Sequence, residues 1–281
     1  MAYQYFPGHM TKAIRSMEND IKLIDLVIEL LDARAPMSSK NPNIDTLAKG
    51  KLRLIVLNKA DMSDPKANDQ WKSYYSSLGF KVLEAVSRDK KTLKNFDRII
   101  TEICSDKIQR DKKRGIIQRP VRVMVAGIPN VGKSTFINTV SGRSGAKTGN
   151  KPGVTRGKQW ISLGKSADLL DTPGILWPKF EDESVGFKLA ILGTINDDII
   201  DMEQLCLDTI DIFKRDYPGL LIGRFGQNLD LSKSSADILS DMSIIRNIKK
   251  KGNEPDTGRM ALIFMDEIRS GRIGKFSLER P

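Results

Sequence analysis

Apolar positions along the chain fall into two patterns. Through the first two-thirds they form short, β-branched runs of strand length: Asp25–Leu31, Leu52–Leu57, Phe80–Val86, Val121–Ala126, Trp160–Leu163 and Ala167–Leu170. Stretches with helical spacing lie between them. Met10–Ile24 carries Ala13, Ile14, Met17, Ile21 and Ile24 on one face, a helix is expected around Trp71–Leu78, and Lys91–Ile108 aligns Leu93, Phe96, Ile99, Ile100 and Ile103. Later the pattern becomes helical throughout. Leu205, Leu207, Ile210 and Phe213 share a face, as do Ile238, Leu239, Met242, Ile245 and Ile248, and again Met260, Phe264 and Ile268. Strands alternating with helices predict an α/β domain with a mostly parallel sheet flanked by helices, followed by an all-helical C-terminal domain. The expected division is residues 1–180 and 181–281.

Composition adds a partner class. The 281 residues carry a formal charge of +11 at pH 7, which makes polyanions natural neighbours, although solvated helix faces account equally well for such an excess. One basic run, Lys107, Arg110, Lys112, Lys113 and Arg114, reads as a linker into the Val121 strand. Cys104 and Cys206 are far apart and bear no ligand-like spacing to the single histidine, which argues against zinc and fits a reducing compartment. The N-terminal residues lack a signal-peptide apolar run, and Asp25 and Glu29 interrupt a long apolar stretch, so a soluble cytoplasmic protein without membrane contact is expected.

The Val121 strand opens into Gly127-Ile128-Pro129-Asn130-Val131-Gly132-Lys133-Ser134, the GxxxxGKS phosphate-binding pattern. Converging backbone N–H groups need a tight loop without Cβ atoms in the way, and Gly127 and Gly132 meet that need. Lys133 is placed to neutralise phosphate and Ser134 to offer its hydroxyl to Mg2+, with Asn130, Val131, Gly132 and Thr135 completing the cradle at the start of a helix. The Leu52 strand delivers Asn58-Lys59-Ala60-Asp61. A carboxylate at Asp61 accepts two hydrogen bonds from the ring N–H and amine of guanine; adenine offers no such pair and would leave the acid unpaired. Asn58 can tie this loop to the phosphate loop, and the Lys59 stem can cover the base. Ser87, in Val86-Ser87-Arg88, sits by position where a backbone contact to the base oxygen belongs.

Arg143–Gln159 is rich in glycine, lysine and threonine. Thr155 is the preferred threonine for γ-phosphate and Mg2+, with Thr148 competing. The last strand ends in Asp171-Thr172-Pro173-Gly174, where Asp171 can hold a Mg2+-bound water and Gly174 can bring its N–H to the γ-phosphate. The guanine motif therefore precedes the phosphate loop in the chain, which implies a circular permutation of the usual GTPase order. The chain then runs from the nucleotide-sensing turn into the helical segment, so exchange of GTP for GDP is expected to re-aim that segment.

Tyr5-Phe6-Pro7-Gly8-His9-Met10, Asp32-Ala33-Arg34, NKxD, GIPNVGKS, the Thr148–Thr155 segment and DTPGILWPKF together resemble the ribosome biogenesis GTPase A family of bacteria. The resemblance runs from residue 3 to about residue 188. It implies a GTPase acting in late assembly of the large ribosomal subunit, with a helical module that engages rRNA, where Arg246, Lys249, Lys250, Lys251, Arg259, Arg269, Arg272 and Lys275 cluster. Ile175 stands where many GTPases carry a water-orienting glutamine, so turnover is expected to be slow and stimulated by ribosomal particles, with His9 as the candidate catalytic group. Asn130 resembles a position that recruits K+. A monomer is expected. Two rival readings stand beside this one: a nucleotide-gated RNA-binding module with incidental hydrolysis, and an ATP-using phosphotransferase, against which Asp61 argues.

Overall fold

The computed structural model describes residues 8–116, 119–142, 159–164, 166–178, 180 and 182–281, without the side chains of His9 and Gln159. The chain divides into two compact units, one of Gln4–Glu181 together with Ser277–Pro281, the other of Asp182–Phe276. The return of the last five residues to the first unit departs from the expected boundary, which assigned everything after residue 180 to the helical part. Its cause is a set of hydrogen bonds with no periodic signature, from Leu278 to the Arg34 carbonyl and from Ser38 to Glu279.

In the first unit, six strands form one sheet in the order β3-β2-β1-β4-β6-β5: β1 Leu26–Asp32, β2 Leu52–Asn58, β3 Lys81–Glu84, β4 Val121–Gly127, β5 Gln159–Leu163 and β6 Ala167–Asp171. All neighbours are parallel except β5 and β6. β1 lies between β2 and β4 and is buried along its whole length, which is why it is apolar on both faces apart from Glu29, paired with Arg53, and the terminal Asp32. Its neighbours bring Asn58 opposite Asp32 and Gly127 opposite Leu30, and β6 sets Asp171 opposite Val125. The chemistry-bearing residues therefore end side by side at the carboxyl edge, flanking the β1/β4 pair where the winding of the sheet reverses.

The helices of this unit are α1 Gly8–Asp20, α2 Pro42–Leu47, α3 Pro65–Ser77, α4 Phe96–Ile103, α5 Ser105–Lys113 and α6 Lys133–Ser141. Asn41 and Asp64 cap α2 and α3 by accepting from the N–H two residues on, each followed by a proline at the first helical position. Ala13 and Met17 of α1 pack with Val27, Met124 and Leu170, whereas Trp71 and Tyr75 of α3 pack with Ile55 and Leu57. The single helix expected over Lys91–Ile108 is a 3-10 turn at Lys90–Leu93 followed by α4 and α5. Asn95 and Cys104 take bridge-region backbone angles (φ −104°, ψ 18° and φ −97°, ψ 12°), a break that apolar periodicity does not register. The basic stretch expected as a linker forms α5 and its C-cap Arg114, and Lys107 in the first turn pairs with both Asp25 and Asp111.

The second unit is helical: α7 Glu183–Ile191, α8 Met202–Asp216, α9 Pro218–Phe225, α10 Ser235–Ile245 and α11 Thr257–Ser270. Phe213 of α8 is the hub of its core, with ring centroids 6.2 Å from Phe264 and 5.1 Å from Phe276. Met260, Phe264 and Ile268 are buried as the spacing requires, whereas Ile245 is 42% exposed because α10 ends there and the chain turns through Asn247 at φ 54°. Arg224 forms a two-point ion pair with the buried Glu267, and Arg269 holds Asp197 and the Ala190 and Ile191 carbonyls. Arg272 pairs with Asp266, so several cations of the basic group are engaged internally, while Lys249, Lys250 and Lys251 are exposed in one turn. Among the described residues no helix is long and apolar enough to cross a membrane.

Candidate functional site

The phosphate loop is the turn between β4 and α6. Whereas α2 and α3 start from a side-chain cap, α6 begins at Gly132 in the left-handed region (φ 99°) with no side-chain cap bond. Its first N–H groups are thus left to an anionic ligand. A Cβ on Gly132 would sit 2.6 Å from Asn58 Nδ2, and one on Gly127 (φ 153°) would meet the Leu30 carbonyl at 2.7 Å, so both glycines are demanded by close approach as well as by backbone angle. Asn130 also lies at positive φ (57°), a conformation asparagine tolerates. Val131 is buried, and Ser134 and Thr135 are half-buried in the first turn of α6.

Lys133 is 7% exposed and its Nζ donates to the Gly127 carbonyl at 3.1 Å and the Ile128 carbonyl at 2.8 Å. Burial lowers its pKa to about 8, with the Asp171 charge pulling the other way. Asp171, 1% exposed at the end of β6, is raised to about 6 by burial against the opposing pulls of Lys133 and a Ser134 hydrogen bond. Its Oδ1 is buried without a hydrogen-bond partner among the described residues. An orphaned carboxylate oxygen beside a serine hydroxyl at the head of a phosphate loop is the donor set that Mg2+ and its water shell require, and the residues present fit that ion. When bound, the metal neutralises phosphate charge; Ser134 and Asp171 are the groups that would hold it.

The turn after Asp171 is packed onto the same loop. Thr172 Oγ1 donates to the Val125 carbonyl at 2.7 Å and the Ile175 N–H to the Gly127 carbonyl at 3.3 Å. A Cβ on Gly174 would lie 2.7 Å from Pro129 Cα and 2.9 Å from Lys133 Nζ, so only glycine lets this backbone approach the cradle. Ile175 itself is 1% exposed and joins the cluster of Ala13, Met17 and Met124. It takes no part in positioning water.

The guanine-type loop is joined to the cradle by Asn58, 1% exposed. Its Nδ2 donates to the Val131 carbonyl at 2.7 Å, and its Oδ1 accepts from the Ser87 N–H at 3.1 Å and the Ser87 hydroxyl at 2.7 Å. Thr139 of α6 donates to the Ser87 carbonyl at 2.6 Å. Asn58, Ser87, Val131 and Thr139 are therefore one hydrogen-bonded cluster formed from three separate stretches of chain. Ala60 and Asp61 follow in a 3-10 turn, with Asp61 exposed and the Ala60 N–H bonded to the Ala85 carbonyl at 3.2 Å.

His9 lies in the first turn of α1, with its side chain outside the described residues; Thr155 and Thr148 are outside them altogether. The sequence marks the Asp32-Ala33-Arg34 turn as a ligand-edge motif but gives its side chains no partner; the structure sets them next to Lys59. Arg34, fully buried, donates to Asp32 Oδ1 from Nε at 2.9 Å and to Oδ2 from Nη2 at 2.8 Å, and Lys59 Nζ stands 3.0 Å from the same Oδ2. The Asp-Ala-Arg spacing after a buried strand was the available signal.

A glycine-bounded phosphate cradle, a metal-competent serine and aspartate, and a guanine-type loop hydrogen-bonded to the cradle define a P-loop GTPase. The profile of the family described as 50S ribosome-binding GTPase matches residues 122–218. Over 282 residues, the chain is 40% identical to the ribosome biogenesis GTPase A of Priestia megaterium, with 100% of this chain and 98% of the relative covered. It is 39% identical to that of Bacillus pumilus, covering 100% and 99%. A GDP-bound structure of YlqF from Thermotoga maritima superposes with a TM-score of 0.69 at 28% identity, covering 95% of this chain and 99% of the other. The chain belongs to the ribosome biogenesis GTPase A family.

Proposed function

We propose that this GTPase acts in late assembly of the large ribosomal subunit, binding the particle and its rRNA in a manner set by the bound nucleotide. The observation that carries the reading is the full-length similarity, which covers 100% of the chain and so includes the helical unit as well as the nucleotide unit. The exposed Lys249–Lys251 turn supports an rRNA contact, since phosphate oxygens are met by exposed surface cations. The motif order supports a circularly permuted GTPase domain in which the guanine loop, leaving β2, precedes the phosphate loop leaving β4. Thr155 completes the Mg2+ site with Ser134 and Asp171, Asn130 is the residue for K+, and His9 positions the attacking water. Burial of Ile175 supports slow turnover alone and stimulation by the particle. The protein works as a monomer in the cytoplasm.

Sedimentation with large ribosomal subunits tests the reading. Co-sedimentation with a non-hydrolysable GTP analogue, its loss with GDP, and faster GTP hydrolysis on addition of the particle are expected. Equal binding in both nucleotide states together with a particle-independent rate would overturn it in favour of an RNA-binding module with incidental hydrolysis.

A further inference from the structure

Lys59 adopts φ 60°, ψ 34°, in the left-handed region. A lysine stays there only when its surroundings hold it. The holding group is Asp32, whose Oδ2 is 3.0 Å from Nζ and which is the register partner of Asn58 across β1 and β2. Asp32 is fixed in turn. Its carboxylate receives the Arg34 guanidinium at two points, its N–H donates to Ser39 Oγ at 3.0 Å, and Ser39 Oγ donates back to the Ala35 carbonyl at 2.7 Å, closing the Asp32–Ser39 turn.

The last residues of the sequence fasten this turn from outside. The Leu278 N–H donates to the Arg34 carbonyl at 2.7 Å, and the Glu279 carboxylate accepts from the Ser38 N–H at 2.9 Å, the Ser38 hydroxyl at 2.6 Å and the Met37 N–H. Three donors converging on one carboxylate make a built contact rather than a loose surface pair. The same segment also reaches the stretch just after the guanine motif: the Asp64 N–H donates to Ser277 Oγ at 3.3 Å, Arg280 pairs with Asp64 at 2.5 Å, and Trp71 Nε1 donates to the Glu279 carbonyl at 3.4 Å. One five-residue segment thus bridges the loop after β1 and the loop after β2, and the guanine motif lies between those two attachments.

We propose that Ser277–Pro281 and the Asp32–Arg34 turn are positioning elements for the guanine base: the terminal segment staples the two loops, and Asp32 holds the Lys59 stem over the place the base occupies. The inference rests on the guanine-loop assignment.

Fluorescence titration of the full chain with N-methylanthraniloyl-GDP tests it. Selective binding of GDP over ADP by the wild type checks the underlying assignment separately. Glu279→Ala is expected to weaken GDP binding by about fivefold, a coupling of the size seen between residues sharing one network, with Glu279→Gln weakening it less. In a Lys59→Met background, where the stem has lost its anchor, Glu279→Ala should add less than about twofold. A role in general stability alone would give the same factor in both backgrounds. Equal factors, or no weakening by either Glu279 variant in the wild-type background, overturn the proposal.

Discussion

The phosphate loop draws most of its shape from one contiguous run, Gly127–Ser134, with Leu30 and Asn58 packed against it, whereas the guanine loop at Asn58–Asp61 is held mainly by residues scattered through the nucleotide unit. Gly127 and Gly132 are packed against Leu30 and Asn58, and Lys133 bonds carbonyls of its own loop. The guanine loop instead depends on Asp32 for Lys59, on Val131 and Ser87 for Asn58, and on the Asp64 contacts of the terminal segment. A contiguous site is stiff because neighbours in the chain define it. A braced site has a geometry that distant residues can alter, and lesions in the two should therefore behave differently.

Lys133→Ala should give the largest effect. Removing a desolvated cation from a phosphate site costs about 3–4 kcal/mol, several hundredfold in GDP affinity by isothermal titration. Burial already works against the charged form of Lys133, so the variant's melting temperature without nucleotide should equal or exceed that of the wild type. Function is lost while the fold is kept. A large fall in melting temperature would show that the loop is not self-contained and would break the comparison.

Asn58→Ala sharpens it from the other side. The Val131 carbonyl and the Ser87 N–H and hydroxyl lose the partner they share, and buried groups left unsatisfied cost about 1–3 kcal/mol each. Here both readings should move: GDP binding weaker by about tenfold, and a melting temperature lower by several degrees. Unchanged stability with lost affinity would mean that Asn58 acts on the ligand alone rather than as a brace.

The same contrast explains what was legible in the sequence. GxxxxGKS and DTPG are local strings whose spacing encodes their geometry, and the strands that carry them were visible as apolar runs. Asn58 was legible as a tie to the phosphate loop because one amide can both donate and accept. The brace at Asp32 was only half visible: the residues stood out after a buried strand, but the bond to Lys59 arises from the β1/β2 register, which no local pattern encodes. Glu279 had no signal at all, being an ordinary surface residue until the fold brings it to Ser38. The break at Cys104 was hidden for a related reason, since Ile100 and Cys104 keep helical spacing across it and both are buried.

The smallest effect tests the brace through its charge. Burial pushes the Asp32 carboxyl up, but Arg34 and Lys59 beside it outweigh that and hold it well below the usual carboxylate range. Its folded pKa is thus lower than its unfolded one, which is near 3.9 in a model peptide. Such a group contributes stability that is present above the unfolded value and is lost as the pH falls through the folded one. Asp32→Asn keeps the shape and some of the hydrogen bonds but has no proton to gain. In urea unfolding, the stability advantage of wild type over Asp32→Asn should therefore be constant near neutrality and shrink as the pH is lowered from about 5 towards 3. The wild type should also release labelled GDP more slowly than the variant at neutral pH, by only a few-fold, since Asn58 still ties the loop. A stability difference that does not change with pH would mean that the carboxylate charge holds nothing in place, and the guanine loop would then have to be as self-contained as the phosphate loop.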